Sequence, residues 1–143
     1  MKRSARIARL LTLRERAEKQ AAIEEERAAF DAARARRQHD RLENAQRRST
    51  ENRSSASISD LHQQDIIIEG TKNAIAAARI AELSTAADAD TARRVREIHT
   101  RRRRSLEKAH LRIIRIESEQ RAQQHIRDIQ ELSISRHERK DNP

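Results

Sequence analysis

The stretch from Thr91 to Arg139 contains neither Pro nor Gly, and almost nothing in it would stop a helix. Its apolar residues Val95, Ile98, Leu106, Ala109, Ile113 and Ile116 recur at threes and fours, the spacing that lays side chains along one face of an α-helix. A single helix cannot bury such a seam by itself. Any fold must therefore supply a second helix, from this chain or from another.

Composition separates two readings of so polar a chain. Leu, Ile, Val and Phe make 26 of 143 residues, which beside a net charge of +9 fits disorder. Ala, Glu, Lys, Leu and Arg make 79, which with helical periodicity fits a coiled coil or long helix. Periodicity favours the helix. Because so many seam positions are Ala, the buried surface per turn is small, and so is the stabilisation at roughly 25 cal/mol per Å².

Upstream, residues 5–48 read as a first arm, with Leu10, Ala17, Ala21, Ala28, Ala32, Ala35 and Leu42 on one stripe. Ile23 and Phe30 lie seven apart on the opposite face and form a candidate docking patch; Phe30 is the only aromatic residue. Residues 49–59, STENRSSASIS, are rich in Ser and Asn, which favour caps and turns, and Ser57 to Asp60 has the form of a capping box. The preferred turn is placed there. Residues 69–73, around the single Gly70, and residues 84–90 are the rival turns. Beyond it, Leu61, Ile68 and Ile75 stand at sevens with Ala78 between repeats, and Ile66 and Ile67 broaden that face. The second arm then runs from about 60 to 138, with residues 139–143 frayed. If 84–90 is helical, this arm is much longer than the first and one arm overhangs.

The fold class expected is all-α: one elongated antiparallel two-helix coiled-coil hairpin, a single domain over residues 1–143. Charge is partitioned along it. Residues 1–48 carry 14 basic and 8 acidic groups, 49–90 carry 3 and 7, and 91–143 carry 15 and 8. Two positive arms thus flank an acidic middle.

Several chemistries find no support. One Gly excludes the phosphate-binding loop and the dinucleotide fingerprint, and without Cys there is neither disulfide nor thiolate metal site. Glu107 and His110 have the Glu-x-x-His spacing of di-iron bundles, but no second copy exists, so the six histidines read as solvated surface residues. No Ser/His spacing indicates nucleophilic catalysis; a non-enzyme without cofactor or metal is expected. No apolar run approaches the roughly 20 residues of a membrane span. Arg9 and Arg14 interrupt any hydrophobic core of a signal segment, so no cleavable leader is expected. Arg93, Arg94 and Arg96 with the run Arg101, Arg102, Arg103 and Arg104 form the densest basic patch. Basic coiled-coil helices bind the DNA major groove in some proteins, but neither a leucine zipper nor stacking aromatics accompany the run here, so nucleic acid is the lesser reading. Arg also pairs bidentately with carboxylates, which suits an acidic protein surface.

Taken together, the basic Ala-rich first helix, the polar break, Leu61-His62-Gln63-Gln64 with Ile68 and Ala74-Ile75, and the final arm resemble the FliJ/YscO family of type III secretion stalk proteins. In that arm the resemblance rests on Ser105 through Ala109, Glu119-Gln120 and Gln124 through Asp128; Gln124 and Asp128 match the family's closing pattern, and Ile129 stands where the family carries Glu. The resemblance implies a stalk similar to that of rotary ATPases. Its partners would be the hexameric secretion ATPase, the export gate protein at the inner membrane and export chaperones. The location implied is cytoplasmic, peripheral to the secretion apparatus, with no membrane insertion. Arg3, Arg6 and Arg9, with residues 127–139 including Asp128, would face the ATPase ring. Two other classes stay open: a basic coiled-coil nucleic-acid binder, and a chaperone-like scaffold that self-associates through Ile23 and Phe30.

Overall fold

The computed structural model describes residues 3–51 and 57–140, and the side chains of all of these except Ser59 and residues 137–140. The fold is all-α. Helix α1 spans Arg3–Glu51 and helix α2 spans Ile58–Lys140. Of the turn expected over 49–59, residues 52–56 lie outside the described residues, as do residues 141–143, and Ile58 and Ser59 already belong to α2. Ser49 to Glu51 stay in α1 rather than joining the turn.

The start of α2 is fixed by the capping box read from the sequence. The Asp60 backbone N–H donates to Ser57 Oγ at 3.3 Å, and the Ser57 N–H donates back to Asp60 Oδ2 at 3.3 Å. The Ser57 hydroxyl also donates to Asp60 Oδ2 at 2.6 Å. Two amides left without intrahelical partners are satisfied in this way, and the carboxylate sits at the positive end of the helix dipole.

Neither rival turn forms. Residues 84–90 are helical, with Thr85 Oγ1 donating to the Ala81 carbonyl at 2.9 Å instead of breaking the ladder. Gly70 is carried inside α2 at a negative φ, and a Cβ added there would meet nothing within 4 Å. Gly70→Ala should therefore stabilise the protein by about 1 kcal/mol, the helix-propensity difference, measured as a raised urea midpoint with unchanged slope.

Contacts group the chain into two units, residues 17–99 and residues 1–16 with 100–143. The first is an antiparallel hairpin. Its register is set by two cross-helix contacts: Arg96 Nη1 donates to Glu25 Oε2 at 2.7 Å, and His39 Nδ1 lies 2.7 Å from Glu82 Oε2. Fourteen residues forward along α1, from 25 to 39, match fourteen backward along α2, from 96 to 82. Less exposed positions recur at threes and fours on both helices, through Ala28, Ala32, Ala35 and Leu42 on one side and Leu61, Gln64, Ile68, Thr71, Ile75 and Ala78 on the other. That is the heptad spacing of a coiled coil. Among the described residues, the buried core consists of Ala21, Ile68 and Ala78, at 4%, 9% and 9% exposure.

In the second unit, the beginning of α1 packs against α2 in the same antiparallel sense. The Ser4 N–H donates to Glu117 Oε1 at 3.2 Å and its hydroxyl to Glu117 Oε2 at 2.7 Å. The first turn of α1 contains no acidic residue, so α2 supplies across the interface the carboxylate that the helix N-terminus favours, typically worth about 0.3–1 kcal/mol. Ile7, Ala8 and Leu11 are half-buried on α1, as are Leu106, Ala109 and Ile113 on α2.

Several expected seam residues lie elsewhere. Leu10 is 50% exposed, and Ile7 and Leu11 take its place. Val95, Ile98 and Ile116 are also exposed, whereas Ala92 and His99 are half-buried. The cause is register: the sevens set by Leu61, Ile68 and Ile75 continue to Glu82, Ala89 and Arg96, and this rotates Val95 and Ile98 to the flank. Ile66 and Ile67 do not broaden the buried face; consecutive helical residues point about 100° apart, so Ile68 turns inward while its neighbours face solvent.

Candidate functional site

Shallow, open grooves mark the surface of each unit. In the unit of residues 17–99, a groove of about 260 Å³ is lined by Glu24, Arg27, Ala28, Asp31, Thr85 and Asp88. In the other unit, a groove of about 400 Å³ is lined by Leu10, Arg14, Arg102, Ser105, Leu106 and Ala109. The second brings the aliphatic side chains of Leu10, Leu106 and Ala109 beside the guanidinium groups of Arg14 and Arg102. No group of three metal-ligating side chains occurs among the described residues.

The basic run does not form one patch. Four consecutive helical residues point in four directions, so Arg101 to Arg104 distribute around α2. Arg103 is half-buried and its Nη1 donates to Glu107 Oε2 at 3.1 Å; Arg102 reaches the groove; Arg104 is exposed. Arg3, Arg6 and Arg9 are all exposed on α1 in that same unit. Gln124 Nε2 donates to Asp128 Oδ1 at 3.2 Å, one turn apart on an exposed surface. Ile23 and Phe30, at 53% and 61% exposure, belong to the other unit and stand two helical turns apart on its outer face.

Polar residues within the seam were missed by the sequence reading. The histidines are not uniformly solvated: His39, His99 and His110 are half-buried, while His62 and His125 are exposed. The His39 side chain is 13% exposed; besides Glu82, Glu43 Oε1 lies 3.5 Å from its Nε2, too long for a good hydrogen bond. Arg96 is held by a hydrogen bond from its guanidinium to Glu25 and then by the charges of Glu25 and Glu18, which push its pKa above the ordinary arginine value. The available signal was positional, since Glu25, His39, Glu82 and Arg96 all occupy heptad positions continuous with the apolar ones.

The chain matches no family model, no curated protein and no solved structure. No described helix is long and apolar enough to cross a membrane.

Proposed function

We propose that this chain is a non-enzymatic stalk and coupling protein of a type III secretion export apparatus, binding the hexameric secretion ATPase and linking it to the export gate at the inner membrane. The observation that carries the reading is the unit formed by the start of α1 and the last part of α2. There Ser4 is bonded to Glu117, and exposed Arg3, Arg6 and Arg9 share one body with exposed Arg127 and Arg136. A helix pair with cationic ends and an aliphatic groove is chemically matched to an acidic collar on a ring of subunits. The site residues act as contact surfaces, with no bond made or broken. Export chaperones are the second partner class.

Adding the purified protein to its cognate secretion ATPase should promote ring assembly or raise hydrolysis at low salt. Changing Arg3, Arg6 and Arg9 together to Ala should remove most of that effect, because rim charges act largely through association rate and are screened by salt. No binding and no effect at low ionic strength would refute the proposal.

A further inference from the structure

Every residue from Ser118 to Arg136 is exposed, although α2 continues through them to Lys140. The positions that would extend the α1-facing seam beyond Ile113 and Glu117 are Gln120, Gln124, Arg127 and Glu131, all polar. A second stripe begins instead: Glu119, Ala122, Ile126, Ile129, Ser133 and Arg136, again at threes and fours. It is displaced by two residues from the first seam, about 200° around the helix at about 100° per residue, so it lies nearly opposite the α1-facing side. Continuing the α1 pairing could not cover it.

The stripe is self-complementary. Its centre is Ile126 and Ile129, both more than half exposed; small residues flank them, and its ends carry opposite charges. An antiparallel second copy sets Ile126 against Ile129 of the second copy, Ala122 against its Ser133, and Glu119 against its Arg136. A parallel copy would stack Glu119 on Glu119 and Arg136 on Arg136. Leu132, also exposed, borders the same stripe. Gln124 and Asp128 bond to each other away from it, and Glu119, now 3.0 Å from Arg115 of its own helix, is within reach of a second cation.

We propose that residues 118–136 form an antiparallel coiled coil with a second copy of this chain. This goes beyond the stalk reading and does not rest on it. Pairing would cover part of the surface assigned there to ATPase contact, so self-association and docking would compete.

The test is sedimentation of the full chain over a wide concentration range. The mass should rise from 16.6 kDa toward twice that value. Changing Ile126 and Ile129 together to Asp should leave a monomer of unchanged helicity by circular dichroism. Arg136→Glu should weaken association at least several-fold, and Glu119→Arg combined with Arg136→Glu should restore it. The chain has no Cys, so Ile126→Cys and Ile129→Cys proteins should oxidise to a disulfide when mixed and not when each is alone. A monomer at every concentration overturns the proposal. So does association that survives the Asp pair, is lost on Phe30→Ala, or gives disulfides between identical variants.

Discussion

Ile68→Ala is expected to lower the stability of the hairpin of residues 17–99 by about 2 kcal/mol, at the low end for truncation of a buried aliphatic side chain. Ile66→Ala and Ile67→Ala should change it by less than about 0.5 kcal/mol. Three consecutive isoleucines thus become an internal control. Ile68 is 9% exposed, whereas Ile66 and Ile67 are 68% and 60% exposed on the outer surface. Truncation at 68 loses burial and leaves a gap in the seam between Gln64, Thr71 and Ile75. At 66 and 67 the better helix propensity of Ala, a few tenths of a kcal/mol, offsets the small loss of contact. Urea titrations followed by circular dichroism separate these outcomes. Equal effects at all three positions would mean that the seam does not run through Ile68.

Ala21→Leu tests the opposite fault. Ala21 is the least exposed described residue at 4%, in a stripe built from Ala28, Ala32 and Ala35. Leu is nearly as good a helix former as Ala, so propensity does not confuse the comparison. The added side chain must push the helices apart or adopt a strained rotamer, at a cost of about 1–3 kcal/mol. Ala29→Leu, on an exposed position of the same helix, should be close to neutral. A stabilised Ala21→Leu protein would show that the helices are loosely paired at this level.

The two substitutions describe one design. A two-helix seam has no third layer to enclose it, so large side chains remain partly wet, and small ones permit the approach that excludes water. The polar positions then bear on register. Sliding the pairing by one heptad would separate His39 from Glu82 and Arg96 from Glu25 while leaving Ala against Ala elsewhere. In a seam this uniform, the half-buried His39–Glu82 pair and the exposed Arg96–Glu25 pair bear on alignment even where they add little stability.

The sequence by itself determined the features that depend on neighbours within one or two turns. Helix formation over both arms, the capping box at Ser57 and Asp60, and the sevens through Leu61, Ile68 and Ile75 were all legible there, because each is a matter of propensity and period. Leu10, Val95 and Ile98 could not be assigned correctly in that way. Each is locally as good a seam residue as its neighbour, and the choice depends on the phase summed over the whole helix and on the helix facing it. The burial of His39 and its contact with Glu82, 43 positions away, likewise arise only when two distant segments are brought into register. Among the basic residues, charge was readable from the sequence. Tertiary structure decided that Arg96, itself exposed, pairs with Glu25 across the hairpin and that Arg103 is half-buried while Arg3, Arg6 and Arg9 stay in water, because a helix turns successive side chains to different sides and only packing selects which side is covered.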